Sequence, residues 1–225
     1  GANFKYDNKN YRYNVTANKL KGSYILLDQP SDLDYLNTSD FETKAKGLRG
    51  SIMIIGPLLS RFGKASIPKP GGDKIGRRKL DTHFEGLVKL GANFKYDNKN
   101  YRYNVTANKL KGSYILLDQP SVTGTANIIM TAALANGVTT IYNAACEPYI
   151  QQLCSMINAM GGKISGIGSN LLKINGVKEL SGCDHKIQPD MIEIGSWIAL
   201  AAMTKSDITI NGVEIKILDQ ILNVF

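Results

Sequence analysis

The chain contains few of the residues that bind metals or form disulfides. It has three cysteines, Cys146, Cys154 and Cys183, and two histidines among 225 residues. The cysteines are odd in number and form no CxxC pair, so neither a zinc site nor a disulfide framework is expected. We therefore predict no metal and no cofactor. Thiols that stay reduced are typical of the cytoplasm, which is the predicted location.

The sequence also lacks long hydrophobic runs. No apolar stretch reaches the roughly 18 residues that a membrane-spanning helix needs, and the polar, aromatic N-terminus is unlike a signal peptide. The composition is 43% hydrophobic and 20% charged, which is typical of a globular protein with a core. A membrane partner is therefore not predicted.

Acidic residues are fewer than basic ones, 19 against 27, which gives a formal net charge of +8. Such a charge would fit nucleic-acid binding if the cations formed one patch. The lysines are instead scattered along the chain, and their densest cluster lies at residues 74–79. A site for anionic small molecules requires positive charge as well. We therefore predict no nucleic-acid partner.

Residues 70–87 hold the most informative pattern. A glycine run leads to one acid, Asp73, and then to the cations Arg77, Arg78 and Lys79. A helix is predicted to follow, with Asp81 as its N-cap. Glycines let a backbone approach closely or adopt positive φ, and a carboxylate beside arginines can donate a proton to an anion that they hold. The alternative is a basic surface loop before a helix.

The sequence of this loop, PGGDKIGRR at residues 70–78, resembles the catalytic loop of the UDP-N-acetylglucosamine enolpyruvyl transferases (1-carboxyvinyltransferases). Further segments match the same family in the same order: LRGS at 48–51, GPLLSRFG at 56–63, DQPSV at 118–122, NAACEP at 143–148 and PDMIE at 189–193. The resemblance runs from about residue 32 to the end of the chain. It implies transfer of enolpyruvate from phosphoenolpyruvate to the 3-hydroxyl of UDP-N-acetylglucosamine, a step of bacterial cell-wall synthesis.

The resemblance also implies roles for individual residues. Asp73 takes the place of the family's usual catalytic cysteine, and its alternative role is a loop carboxylate paired with arginine. Arg49 and Arg78 match arginines near the substrate phosphates, although Arg49 could instead brace its helix. Contacts to the nucleotide are implied for Lys79, Leu80, Asp81, Thr82, Gln119, Pro120, Ser121 and Val122. Glu147 and Asp190 match acids that line the family's cleft, and helix N-terminal charge is an equal alternative for both.

A 31-residue segment occurs twice without a change, at residues 1–31 and 91–121. Natural repeats diverge in sequence with time, so an identical copy is very recent, engineered or an error of sequence assembly. The second copy continues naturally into Val122, so we regard it as native and the first as displaced. Aromatic and polar residues alternate on both sides of a turn, which predicts a β-hairpin.

Three further segments share one weaker pattern, starting near Gly50, Gly124 and Gly195. Each predicts a buried helix, a polar or glycine C-cap and a short β-branched strand, at residues 65–67, 139–141 and 208–210. A second helix is expected in each unit, at 81–90, 147–160 and 218–225. A hairpin then follows in the first two units, and final strands are expected to open at 110–112 and 180–182. A period of about 70 residues indicates a repeated supersecondary unit.

These units predict an α/β (α+β) fold. The resemblance implies an inside-out α/β barrel of helix–strand–helix–strand–strand units, with buried helices and outer sheets. We expect three parts: the duplicated hairpin segment at 1–31, an enolpyruvyl transferase domain at 32–189, and the incomplete start of a second domain at 190–225. On that basis the chain by itself is expected to be inactive.

Two other functions remain open at this stage. The related transferase of aromatic amino-acid synthesis shares the fold but lacks the PGGD loop and the NAACEP segment. A non-catalytic domain that binds UDP-sugar is the second alternative, because the family's N-terminal lysine–asparagine pair and most of its second domain are missing from these 225 residues.

Overall fold

The computed structural model describes residues 3–7, 12–16, 34–72 and 80–224. The chain divides into two compact units, residues 1–185 and 186–225. Within the described ranges, no helix has the length and apolar character needed to cross a membrane.

Seven α-helices and nine strands are described in these ranges. The helices are α1 (Ser39–Gly47), α2 (Ile55–Phe62), α3 (Asp81–Lys89), α4 (Val122–Ala132), α5 (Pro148–Ala159), α6 (Met191–Thr204) and α7 (Asp219–Leu222). The strands are β1 (Asn3–Asp7), β2 (Arg12–Thr16), β3 (Lys64–Pro68), β4 (Asn93–Asp97), β5 (Arg102–Thr106), β6 (Tyr114–Leu116), β7 (Val138–Tyr142), β8 (Lys163–Ser165) and β9 (Leu171–Asn175). Short 3-10 helices lie at Asp34–Asn37, Arg49–Ile54 and Ile215–Ile217.

Helix α4 lies at the centre of the first unit. It begins at the N-cap Ser121, whose Oγ accepts a hydrogen bond from the Gly124 amide at 3.1 Å. From Gly124 to Ala132 every residue is buried, which is typical of a helix surrounded on all sides. Helices α2, α3 and α5 pack against it. The glycines Gly56 and Gly86 let α2 and α3 approach it closely, since a Cβ on either would lie within 2.5 Å of α4 atoms.

Two sheets cover these helices. Strands β3, β5 and β4 form an antiparallel sheet in that spatial order, while β6, β7, β9 and β8 form a mixed sheet in which β6 runs parallel to β7. Buried residues alternate with exposed ones along β7 and β9, so one face of the second sheet meets the core. The predicted α/β class with inner helices and outer sheets is confirmed, and in the described residues the sheets stay separate rather than closing a barrel.

The helix–turn–strand start of the first two predicted repeat units is also confirmed. Gly63 ends α2 in the left-handed conformation (φ 67°) and leads into β3. In the second unit Gly137 (φ 97°) precedes β7. A residue without Cβ adopts positive φ at low cost, so each glycine reverses the chain directly from helix to strand.

Four predicted details are wrong. The N-cap of α3 is Leu80, and Asp81 is the first helical residue. Residues 208–210 form no strand, because the described part of the second unit contains no strand with which they could pair. Ile210 packs instead on a small apolar cluster. The final strand expected to open at 180–182 does not form, since Leu180 makes only an isolated bridge and residues 181–190 contain no strand. The helix expected at 218–225 is four residues long in its described part.

The two identical segments form the same hairpin. Strand β1 pairs with β2 from Asn3↔Thr16 to Asp7↔Arg12, and β4 pairs with β5 from Asn93↔Thr106 to Asp97↔Arg102. The register is therefore the same in both copies. Strand β5 also pairs with β3, whereas β2 pairs with β1 alone in the part of the chain that the structure describes.

The second unit consists of α6 and a short C-terminal turn region. The Asp190 carboxylate caps α6, accepting hydrogen bonds from the amides of Ile192 (2.8 Å) and Glu193 (3.3 Å). Met191, Ile194 and Leu218 form a small buried cluster there. The domain boundary predicted near residue 189 stays a prediction.

The contact between α2 and α4 generates a stability prediction. In Gly56→Ala the new Cβ would meet Asn127 Oδ1 and Thr131 Oγ1 at 2.5 Å and the Asn127 carbonyl at 2.6 Å. Forcing two buried helices apart costs about 2 kcal/mol, so the melting temperature should fall by roughly 4–8 °C. Gly47→Ala is the matched control, because nothing lies within 4 Å of its Cβ position. Equal melting temperatures for the two variants would contradict this packing.

Candidate functional site

The predicted catalytic loop lies largely outside the described residues. Asp73, Arg78 and Lys79 all fall in the range 73–79, so their roles stay predictions. Its entry at Gly71 and Gly72 is described. A Cβ on Gly71 would overlap the Lys46 carbonyl at 1.6 Å, and Gly72 has φ 90° with its Cβ position 3.1 Å from the Arg49 amide nitrogen. The glycines thus allow close approach to the protein's own backbone, and the chain enters the loop beside Arg49.

The chain leaves the loop at the start of α3. Leu80 is buried and Asp81 is exposed, whereas Thr82 is buried and hydrogen bonded. Thr82 Oγ1 donates to Asp118 Oδ1 at 3.2 Å and accepts from Gln119 Nε2 at 3.4 Å. These bonds join the start of α3 to the segment that precedes α4. Two stretches separated by 36 residues and predicted to contact the same nucleotide are therefore neighbours.

The side chains of the segment before α4 differ in their exposure to solvent. Gln119 and Pro120 are exposed, while Ser121 is half-buried and serves as the N-cap. Val122, the first residue of α4, is half-buried and packs against the core. A side-chain role in ligand binding is therefore open to Gln119, whereas Ser121 is already used by its own helix.

A buried polar network lies under these helix starts. His83, 2% exposed, has its Nδ1 3.1 Å from Asn127 Nδ2 and its Nε2 3.1 Å from Thr123 Oγ1. Because the Asn127 amide nitrogen can only donate, Nδ1 accepts and Nε2–H donates to Thr123. Asn127 also donates to the Ile52 carbonyl at 3.1 Å, and its Oδ1 accepts from the Gly56 amide at 2.8 Å.

The network determines the charge of His83. Burial, and secondly the nearby positive charge of Arg49, lowers the pKa of His83 from 6.5 to about 4. The ring is neutral at physiological pH, as an accepting Nδ1 requires. His83 packs at the start of α3. The role of Asn127 was missed, although a polar residue inside the apolar run of α4 was the available signal.

The two predicted cleft acids differ in their surroundings. Asp190 caps α6 in the second unit, which agrees with the structural alternative for that residue. Glu147 is the N-cap residue of α5 but makes no side-chain cap bond, and its buried Oε2 has no hydrogen-bond partner among the described residues. The start of α5 is tied to α4, because the Ala145 amide donates to Thr125 Oγ1 at 3.0 Å.

Several predicted site residues therefore meet at one end of the first unit. The start of the Arg49–Ile54 helix, the loop entry, and the N-termini of α3 and α4 lie together through the contacts given above. Helix N-termini carry partial positive charge and unpaired amides, so this end is suited to phosphate and carboxylate groups. In the described ranges, no cluster of three or more His, Cys, Asp or Glu side chains could hold a metal ion.

A cleft of about 340 Å³ lies elsewhere in the first unit. It is lined by residues at the C-terminal ends of α2 and α4, including Gly63 and Asn136, together with Lys109 and Lys178. None of the predicted site residues lines it. We therefore place the candidate site at the N-terminal ends of the helices rather than in this cleft.

Fold and site together define an α/β domain of packed inner helices whose N-termini form an end suited to anions. A family model described as EPSP synthase (3-phosphoshikimate 1-carboxyvinyltransferase) matches residues 21–225. The chain therefore belongs to this family of enolpyruvyl transferases.

The curated relatives that it matches carry a different name within that class. UDP-N-acetylglucosamine 1-carboxyvinyltransferase from Bacteroides thetaiotaomicron is 62% identical over 192 residues, which is 85% of this chain and 44% of the relative. The enzyme of the same name from Porphyromonas gingivalis is 58% identical over 184 residues, or 82% of this chain and 42% of the relative. The resemblance inferred from the motifs is confirmed, and the chain spans less than half the length of these relatives.

Solved structures agree on the fold. The enolpyruvyl transferase NikO from Streptomyces tendae superposes with a TM-score of 0.62 at 18% identity, covering 88% of this chain and 43% of that one. An EPSP synthase from Acinetobacter baumannii superposes with a TM-score of 0.53, also at 18% identity, over 68% of this chain and 34% of its own. At such identities the likeness establishes architecture alone.

The buried histidine generates a pH prediction. The pKa of His83 is about 4 in the folded state and 6.5 in the unfolded state. As the pH falls, the unfolded chain therefore binds a proton at His83 before the folded chain does. The contribution of His83 is complete above pH 6.5 and is lost between pH 6.5 and 4. Stability should fall by about 2 kcal/mol between pH 7.5 and pH 5, measured by urea unfolding.

Two variants separate this effect from other titrations. His83→Gln should be less stable at pH 7.5 but should lose most of the pH dependence between 7.5 and 5. His185→Gln is the control, since burial lowers the pKa of His185 as well, but this side chain is only partly buried and has no part in the Asn127 network. Unchanged pH dependence in His83→Gln would show that His83 is not the titrating group.

Proposed function

We propose that the protein to which this sequence belongs transfers enolpyruvate from phosphoenolpyruvate to the 3-hydroxyl of UDP-N-acetylglucosamine, in peptidoglycan synthesis in the cytoplasm. The observation that carries the proposal is 62% identity to an enzyme of that name across 85% of this chain. The cluster of helix N-termini beside the glycine loop supports it, because both proposed substrates present phosphate groups.

In the proposed reaction the sugar hydroxyl gives its proton to a base and its oxygen adds to C2 of phosphoenolpyruvate, while C3 gains a proton. Loss of a proton from C3 and departure of inorganic phosphate then complete the transfer. Asp73 is proposed to donate the proton to C3, a task for which a carboxylic acid needs a raised pKa. Arg49 and Arg78 are proposed to hold phosphate oxygens through their guanidinium groups.

Nucleotide contacts are proposed for the two neighbouring stretches at residues 79–82 and 119–122. Buried Leu80 and Thr82 are suited to shaping the site, whereas exposed Asp81 and Gln119 are open to solvent and ligand. Glu147, with a buried carboxylate oxygen lacking a described partner, is proposed to face the cleft. For Asp190 we favour the capping role, because both of its described hydrogen bonds go to its own helix.

Two alternatives have specific support. The matching family model is named for the aromatic-pathway enzyme. The curated relatives at 62% and 58% identity and the NAACEP segment favour the cell-wall reaction instead. A domain that binds UDP-sugar without turnover is the second alternative, because the neighbouring stretches around Thr82 and Gln119 require no catalytic acid to bind a nucleotide. Binding without turnover in the whole protein would support this second alternative.

The first prediction concerns the 225-residue chain itself. We expect no phosphate release from UDP-N-acetylglucosamine and phosphoenolpyruvate, because the transition state needs preorganised charge from both sides of a cleft. A phosphate-release assay on the purified chain, with a full-length relative as positive control, measures this. Turnover comparable to that of the relative would contradict the expectation.

The second prediction concerns Asp73 in the whole protein. Asp73→Asn should lower turnover by roughly 100-fold or more, because an amide cannot donate the required proton. Binding of UDP-N-acetylglucosamine, measured by calorimetry, should change little. Asp73→Glu, which retains the acid, is the matched control and should keep more activity than Asp73→Asn. Full activity of Asp73→Asn would remove Asp73 from the mechanism.

The third prediction concerns fosfomycin, an epoxide that alkylates the family's loop cysteine. A thiolate is a strong nucleophile and a carboxylate a weak one. The protein with Asp73 should therefore form no adduct, and Asp73→Cys should form one, as measured by intact mass in the presence of UDP-N-acetylglucosamine. An adduct on the Asp73 protein would refute the expected resistance.

A further inference from the structure

The chain contains two identical hairpin sequences but one described surface on which that hairpin is packed. Residues 93–106 occupy the surface, which is formed by β3 on one side and α3 below. Val105, 1% exposed, lies in the core there. The ring of Phe84 on α3 stacks on Phe94 at 4.0 Å between centroids. Residues 3–16 repeat the same sequence and register, so they carry every group that this surface recognises.

We call residues 93–106 the resident hairpin. It belongs to a segment, residues 91–110, whose two ends lie side by side. The amide of Lys111 donates to the Leu90 carbonyl at 2.9 Å, directly after α3. Residues 91–110 therefore leave and return at one point. Removal of this hairpin from the surface would require no displacement of α3 or β6, because the bond between Lys111 and Leu90 holds their adjoining ends together.

The first copy can reach the same place. The side chain of Arg102, at the start of β5, donates from Nη2 to the Leu36 carbonyl at 3.1 Å, so residue 36 lies against the sheet. Residues 17–33 connect β2 to this region, and 17 residues can span up to roughly 56 Å. The distance needed is near the length of β5, about 14 Å from residue 102 to residue 106. The connection is therefore long enough.

We propose that residues 3–16 are an interchangeable second hairpin, which binds the β3–α3 surface in place of residues 93–106 when the resident copy is weakened. The register follows from the resident one: Lys64, which pairs with Thr106, would pair with Thr16. In the unmodified chain the resident hairpin prevails, because three residues, 90–92, separate it from α3 and loop closure favours the shorter connection.

The melting temperatures of two single variants and their double variant test the exchange, because exchange makes the two effects non-additive. Val105→Asp places a charge in the core of the resident copy, and Val15→Asp changes the same position of the first copy. If the copies exchange, Val15→Asp alone should leave the melting temperature unchanged and Val105→Asp should lower it modestly. The double variant should fall by at least roughly 8 °C more than Val105→Asp alone, since no intact hairpin remains.

Each other outcome overturns the proposal. Equal melting temperatures for Val105→Asp and the double variant would show that the first copy provides no replacement. A large loss in Val15→Asp alone would show that the first copy is already packed elsewhere. Gel filtration of Val105→Asp should show a monomer, because the reach of residues 17–33 permits exchange within one chain, and a dimer would contradict exchange within the chain.

A disulfide reports the register directly. In a Val105→Asp, Cys146→Ser background, Lys64→Cys with Thr16→Cys should cross-link under mild oxidation, because these positions become strand neighbours. Lys64→Cys with Asp7→Cys is the matched control, since Asp7 lies on β1, away from the pairing edge of β2. Equal cross-linking of both pairs, or of neither, would exclude the proposed register.

Discussion

The side chain of Asn127 is the contact on which the first unit depends. It lies in the part of α4 that is buried from Gly124 to Ala132, and both its amide nitrogen and its oxygen are hydrogen bonded to three other segments: the Ile52 carbonyl, the Gly56 amide and the His83 ring. A buried amide without these partners would cost the full penalty of desolvation. The helix that begins at Arg49, helix α2 and helix α3 are therefore held at fixed positions around α4.

This constraint reaches the candidate site because the same helices present their N-termini there. Gly56 and Gly86 remove the side chains that would separate α2 and α3 from α4, and the polar network sets their register along the axis. Arg49, the loop entry and the stretch around Thr82 are therefore held at the same end of the first unit. The neutral His83 belongs to this support, since a protonated ring could not accept from Asn127.

The duplicated segment separates local from tertiary information. Two identical sequences form hairpins with one register, so the pairing of each hairpin follows from alternation and turn residues within the segment. The strand that joins the hairpin as a third member does not. Strand β5 pairs with β3 because α2 and its C-cap at Gly63 bring β3 alongside, so this pairing also depends on segments outside the hairpin.

The sequence by itself determined the elements with strong local signals. These include the helix after Ser121, the glycine-capped turns at Gly63 and Gly137, both hairpins and the family of the loop, because capping, periodicity and motif order are properties of short stretches. The tertiary structure decided which helix is central, that Leu80 rather than Asp81 precedes α3, and that Asn127 holds the network. It also left residues 208–210 without a strand, since a strand requires a partner and that partner is a non-local choice.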